Sequence, residues 1–213
     1  MPSKNVIKNE APESIYHIYF RGGNKSRIFR ESEDYEKMLS LFERYLSLKE
    51  HKNSAGLSFP NYHNRVDLLA FCLMPNHVHL LVYQHSMGDM TEFMRSLLTS
   101  YSMYFNKKYK RSGPLLESRY KASRVSDEAY YMHITRYIHS NPRDWGTYEY
   151  TSLPYYLQQV SDDWIMPERI LEMFSGPDEY KKFMDDYKEN KEMKEILKLE
   201  LAGFNEWENA SIG

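Results

Sequence analysis

Two apolar segments separated by only two residues constrain the fold of this chain more than any other feature. The segments are VDLLAFCLM, which starts at Val66, and HVHLLVYQ, which ends at Gln84, and both are rich in residues that favour β-strands. Pro75 and Asn76 lie between them, and a connection this short joins antiparallel strands. The sequence therefore predicts a β-hairpin over residues 66–84.

Further strand and helix patterns flank this hairpin on both sides. They alternate between β-forming runs and segments with apolar residues at helical spacing. In chain order, these are a strand at residues 15–21, a helix at 33–48, the hairpin, a helix at 90–108, a strand at 121–125, and a helix that Asp127 caps and that runs to about residue 139. This order predicts an α+β fold of the ferredoxin-like type, a split βαβ antiparallel sheet with helices packed on it.

Charge divides the chain into a basic front and an acidic tail. The whole chain has 28 basic and 30 acidic residues, but residues 161–213 hold 7 basic and 14 acidic ones, which leaves 21 basic and 16 acidic residues before them. Apolar residues at helical spacing in the tail predict helices, among them a charged helix over residues 189–201. We expect a domain at residues 1–150 and a helical acidic extension at 151–213. The acidic residues of this extension either form a solvated surface or cover the basic residues of the front part of the chain and inhibit it.

Composition also bears on the compartment and on the partner. Cys72 is the single cysteine, so the chain forms no internal disulfide. The polar N-terminal segment and the lack of an apolar run of 18 residues predict a cytoplasmic protein without a membrane span. The 19 tyrosines offer stacking surface and hydroxyl groups, which suit work on nucleic acid.

Two groups of side chains carry candidate chemistry. His77 and His79 are two residues apart on one predicted strand, so their imidazoles point to the same side, either as metal ligands or as a structural pair. Basic residues between positions 95 and 124 outnumber the one acidic residue, Glu117, and are candidates for one continuous phosphate-binding surface that reaches the histidines. These basic residues are Arg95, Lys107, Lys108, Lys110, Arg111, Arg119, Lys121 and Arg124, with Lys25 after Gly22-Gly23 as a further candidate.

Four motifs follow one another along residues 14–145. They are YHIYFRGGNKSRIF, MPNHVHLLV, YFNKKYKRSGPLLESRYKA and RYIHSNP. Together they resemble the IS200-like single-tyrosine HUH transposases, and within these the REP-associated tyrosine transposases. The resemblance implies that His77 and His79 bind Mg²⁺ or Mn²⁺ and that Asn141, where other branches carry glutamine, completes the metal site. It also implies that Tyr137, one helical turn before Asn141, is the nucleophile.

The resemblance further implies an enzyme that cleaves and rejoins single-stranded DNA, folded as a REP-like hairpin, through a 5′-phosphotyrosine intermediate. Relatives with similar cores include homodimers and monomers, so both states stay open, as do two other functions. A non-catalytic nucleic-acid-binding module would need neither the histidine pair nor Tyr137. A metal-dependent phosphoesterase that uses water would need the histidines but not the tyrosine. Tyr130, two turns earlier on a similar face, is a competing tyrosine.

Overall fold

Four strands form one antiparallel sheet. The structure is a computed structural model that describes residues 10–125 and 128–186. The strands are β1 (Ser14–Arg21), β2 (Val66–Met74), β3 (His77–Gln84) and β4 (Lys121–Val125). Their order across the sheet is β2-β3-β1-β4, and every neighbouring pair is antiparallel. This is the order of a ferredoxin-like split βαβ sheet, so the predicted α+β fold class is confirmed.

Helices pack on both faces of this sheet. They are α1 (Ser32–Leu46), α2 (Asp89–Lys108), α3 (Glu128–His139), α4 (Leu153–Tyr156), α5 (Glu168–Leu171) and α6 (Pro177–Asp185). The elements predicted up to residue 139 agree with these bounds to within two residues. The predicted Asp127 cap and the helix predicted at residues 189–201 lie outside the described residues. Within the described part of the chain, no helix is both long and apolar enough to cross a membrane.

Side-chain alternation along the strands creates two separate cores. Val78 and Leu80 of β3 pack in one core with the apolar residues of α1 and α2. Leu81 points to the other side of the sheet, where it packs in a second core with Ile134 and Ile138 of α3. His79 shares the parity of Leu81 along β3, so the histidine pair faces α3 and not α1 or α2.

The residues that follow α3 complete the second core and cover one edge of the sheet. The apolar side chains of α4, α5 and α6 are buried in the same core as those of α3. Beside β2, the Leu73 N–H donates to the Tyr150 carbonyl (2.9 Å) and the Ser152 N–H donates to the Phe71 carbonyl (3.0 Å). These bonds pair backbone groups that an open edge strand would expose. The division proposed at residue 150 stays a prediction.

Candidate active site

The hairpin brings two histidine side chains together on the α3 side of the sheet. The ring centroids of His77 and His79 are 5.1 Å apart, and the rings are perpendicular. Burial is the main cause that lowers the pKa of His77 to about 4, with a smaller opposing effect from its contact with Asn141. Burial, together with the neighbouring histidines, also holds the pKa of His79 well below its ordinary value. Both rings are therefore neutral at pH 7 and have a lone pair for a ligand.

The side chain of Asn141 lies between the two histidines. Its Oδ1 is 3.1 Å from His77 Nε2, and its Nδ2 is 3.4 Å from His79 Nε2. Asn141 is not on α3, as the four-residue spacing from Tyr137 suggested, but in the turn after it, because the following proline disfavours helical geometry at this position. Its N–H donates to the Ile138 carbonyl at 3.4 Å, which brings the short side chain over β3.

A third histidine, His17 of β1, joins the site without having been singled out in the sequence. Its Nε2 is 3.0 Å from His79 Nδ1, and the two rings are stacked with centroids 5.2 Å apart. His17 is fully buried, and burial lowers its pKa to about 3. Side chains alternate along a strand, so the sequence could have placed His17 on the face of β1 opposite to Ile18 and Phe20. Together with the predicted ferredoxin-like strand order, which places β1 beside β3, that alternation was the signal that could have found His17.

These contacts are compatible with one tautomer of each candidate ligand that leaves Nε2 free for a metal ion. In the tautomer of His79 with the proton on Nδ1, the ring donates to His17 Nε2, and its Nε2 accepts the Asn141 amide N–H. In the tautomer of His77 with the proton on Nδ1, the ring donates to Asn76 Oδ1 at 2.7 Å, and the unprotonated Nε2 is 3.1 Å from Asn141 Oδ1. With these tautomers, the Nε2 atoms of both rings and Asn141 Oδ1 are available to one metal ion.

The donor atoms fit a divalent metal ion with open coordination positions. Two neutral imidazoles and one amide oxygen meet at this site, and the Nδ1 atom of each ring has an acceptor, Asn76 Oδ1 or His17 Nε2, that favours the required tautomer. No cluster of three His, Cys, Asp or Glu side chains suited to a metal occurs in the described ranges. The candidate set is therefore two histidines with an amide, and it leaves room for oxygen atoms of a substrate.

Tyr137 of α3 lies directly over the buried histidines. Its ring centroid is 5.4 Å from that of His79 and 5.9 Å from that of His17, with both contacts edge-on. Tyr130 is on the same helix and packs at the margin of the second core. Tyr19 of β1 contacts His79 from the side, with centroids 5.0 Å apart. His17, His79, Tyr19 and Tyr137 thus meet within one chain.

Some of the predicted basic residues lie beside this site. Tyr19, Arg119 and Lys121 line a small pocket together with Arg21, whose guanidinium forms an ion pair with Glu117 at 2.8 Å. Lys121 pairs with Tyr19 across the sheet, so its side chain is on the histidine face.

Lys25 reaches the same end of the sheet through a docked loop. The Gly22 N–H donates to the Asn76 carbonyl at 2.9 Å, and Asn76 Nδ2 donates to the Lys25 carbonyl at 3.3 Å. A side chain at Gly22 would collide with the Ser26 carbonyl, so the close approach requires glycine. Lys25 is therefore held next to the residue that precedes His77.

The other basic residues do not extend this group, and the prediction of one continuous surface is wrong. Helix α2 packs on the sheet face opposite the histidines, and Arg124 pairs with Tyr16, whose side chain belongs to the α1–α2 core. Lys108 is also neutralised by Glu31 and Asp34, at 3.2 and 3.0 Å. Charge density along the sequence could not show which face α2 covers. The residues concerned are Arg95, Lys107 and Lys108 on α2, Lys110 and Arg111 after it, and Arg124 on β4.

This chain is similar to several solved structures, of which two are described. A REP-associated tyrosine transposase bound to a REP hairpin has a TM-score of 0.50 at 12% identity, over 75% of this chain and 90% of that chain. At this identity the likeness shows the fold alone. A candidate transposase from Deinococcus radiodurans R1 has a TM-score of 0.39 at 17% identity, over 62% of this chain and 93% of that chain, and at this score the likeness supports no conclusion. No curated protein matches the sequence.

A sheet that presents paired histidines and an amide to a tyrosine on a packed helix has the parts of a metal-assisted phosphoryl-transfer site. The family model described as "Transposase IS200 like" matches residues 11–141, well over half of the chain. The chain therefore belongs to the IS200-like transposases, a family of enzymes that cleave and transfer DNA, and DNA is its partner.

Proposed function

We propose that this transposase cleaves and rejoins single-stranded DNA, with Tyr137 as the nucleophile and a divalent metal site formed by His77, His79 and Asn141. The observation that supports this proposal most directly is the convergence of these four side chains within one chain. The polar atoms of the Asn141 amide are 3.1 and 3.4 Å from the Nε2 atoms of His77 and His79. The ring centroids of Tyr137 and His79 are 5.4 Å apart. A binding module would need none of these contacts.

The proposed reaction is a transesterification. The Tyr137 hydroxyl attacks the scissile phosphorus in line, so that an Oη–P bond forms while the bond from phosphorus to the 3′-oxygen breaks. The phenol loses its proton and the departing 3′-oxygen gains one, which gives a 5′-phosphotyrosine and a free 3′-hydroxyl. Attack by a second 3′-hydroxyl reverses these steps and joins two strands. One ester replaces another, so no external energy source is consumed.

Cations have to offset the charge that develops in this reaction, because a phenol has a pKa of about 10 and is a poor nucleophile at pH 7. Mg²⁺ or Mn²⁺ held by the two histidines and Asn141 would supply positive charge at the phosphate. Lys121 lies on the histidine side of the sheet, Arg119 lines the small pocket next to it, and both would bind the flanking phosphates.

The substrate we propose is single-stranded DNA that carries a hairpin of the REP type. Membership of the IS200-like family supports DNA as the partner. The structural relative bound to a REP hairpin is a reason to test folded single strands first. Lys25, at the end of the sheet next to the residue before His77, is a further candidate contact for the backbone of such a strand.

The test is a search for the covalent intermediate. Labelled hairpin-bearing single strands are incubated with the protein and Mn²⁺, and denaturing gels are examined for a protein–DNA band. The wild type and Tyr130→Phe should form the band, whereas Tyr137→Phe should form none and should still bind the DNA, because only one oxygen atom is lost. Cleavage without a band would support the phosphoesterase. Neither cleavage nor a band with any folded strand would support the binding module.

A further inference from the structure

Helix α6, in the acidic extension, contacts α3 at two points that flank Tyr137. The Arg136 guanidinium donates to the Phe183 carbonyl at 2.7 Å and lies over the Phe183 ring at 3.7 Å. On the other side of Tyr137, His139 Nδ1 is 2.7 Å from the Tyr180 hydroxyl. One contact precedes the tyrosine by one residue and the other follows it by two.

The His139 side chain also links α3 to the sheet. Its Nε2 is 2.7 Å from Ser152 Oγ, which in turn accepts the Phe71 N–H of β2 at 2.8 Å. A chain of hydrogen bonds therefore runs from α6, through the last residue of α3, to the strand next to the histidine strand. Tyr180, His139 and Ser152 are completely buried, so water cannot replace a lost partner without opening the core.

This arrangement constrains the two residues on which the proposed chemistry depends. His139 lies midway between Tyr137 and Asn141, and the helix ends at His139. After that point the backbone is held by the Ser140 N–H to the Arg136 carbonyl at 2.8 Å and by the longer bond of the Asn141 N–H at 3.4 Å. These local bonds alone leave the turn free to fray, as helix ends do. The side chain of His139 ties it to two other elements.

We propose that α6 is a brace for α3, and that Tyr180, His139 and Ser152 are positioning residues that hold Tyr137 and Asn141 over the histidine pair. The acidic extension then serves the active site through its described helix and not only as a solvated face. This inference rests on the proposed function for its catalytic consequence. Its structural part, the restraint of the end of α3, can be tested without DNA or metal.

The structural part is tested by amide hydrogen exchange measured by NMR. Tyr180→Phe removes only the hydroxyl that bonds His139, and Ser152→Ala removes the other partner. Exchange of the Ser140 and Asn141 amides should accelerate about fivefold in each variant, the factor that corresponds to one lost hydrogen bond. Tyr156→Phe is the matched control, because its equally buried hydroxyl donates to the Leu69 carbonyl of β2 and not to α3.

The catalytic part is tested with the same three variants. Tyr180→Phe and Ser152→Ala should slow formation of the covalent DNA band on the order of tenfold while DNA affinity stays unchanged, since a small displacement of reacting groups is costly. Tyr156→Phe should react at the wild-type rate. Exchange in Tyr180→Phe equal to that in Tyr156→Phe would overturn the brace, as would equal rates of band formation in an active wild type. A wild type that forms no band would contradict the proposed function, and the exchange data would still decide whether α6 restrains α3.

Discussion

His17→Phe should weaken metal binding although residue 17 is not a proposed ligand. His79 Nδ1 is 3.0 Å from His17 Nε2, and in the tautomer required for metal binding His79 donates in this bond, which keeps its Nε2 lone pair directed at the site. Phenylalanine keeps a ring of similar size stacked on His79 but accepts no hydrogen bond. The Nδ1–H of a buried imidazole would then lose its acceptor, or the ring would change tautomer and lose the lone pair at Nε2.

The size of the effect follows from the burial of this pair. His17 is fully buried and His79 nearly so, and an unsatisfied buried donor costs about 1–3 kcal/mol. A factor of ten in affinity corresponds to about 1.4 kcal/mol. We therefore expect Mn²⁺ affinity to fall by about one to two orders of magnitude, which is the range typical of residues that orient a metal ligand.

The assay is a titration of the DNA-free protein with Mn²⁺, followed by electron paramagnetic resonance of the free ion. Tyr62→Phe is the control, because it removes a buried hydroxyl bonded to Ser96 in the α1–α2 core, on the opposite face of the sheet. It should bind Mn²⁺ like the wild type even if it is somewhat less stable. If His17→Phe binds Mn²⁺ within twofold of the wild type, the assignment of the His79 proton is wrong.

Three further outcomes are expected. Burial lowers the pKa of His17 and of His139 to about 3, below the ordinary value of about 6.5 in the unfolded chain. Between these two pH values the unfolded state binds more protons than the folded state. The free energy of unfolding is therefore highest above pH 6.5 and falls as the pH is lowered towards 3. Urea unfolding should show a loss of about 2 kcal/mol per histidine at pH 5, and equal stability at pH 5 and 7 would contradict this. Arg119→Ala should reduce the log–log salt dependence of single-strand binding by about 0.7, whereas Arg95→Ala, on the opposite face, should not change it, and equal slopes for both variants would contradict the assignment of faces. Asp34→Ala should lower the free energy of unfolding by about 3–5 kcal/mol in the same urea experiment, because this buried carboxylate neutralises a lysine and accepts two backbone N–H bonds; a loss below 1 kcal/mol would refute that view.

The sequence by itself determined the order of the elements and part of the site. Strand and helix periodicities are local properties, so they placed the hairpin and the first three helices to within two residues. The same local rule put His77 and His79 on one side of β3. The four-residue spacing brought Tyr137 and Asn141 close to each other, although Asn141 proved to be past the end of the helix.

Only the tertiary structure decided which side chains from different elements share a face and which surface the site has. The predicted ferredoxin-like strand order already places β1 beside β3, but only the structure showed that the His17 ring stacks on His79 and that α2 carries its basic residues on the opposite face. His139 contacts Tyr180 of α6, 41 positions further along the chain, and Ser152, 13 positions further along. These contacts form between distant segments, and neither hydrophobic period nor charge density along a chain records which segments will meet.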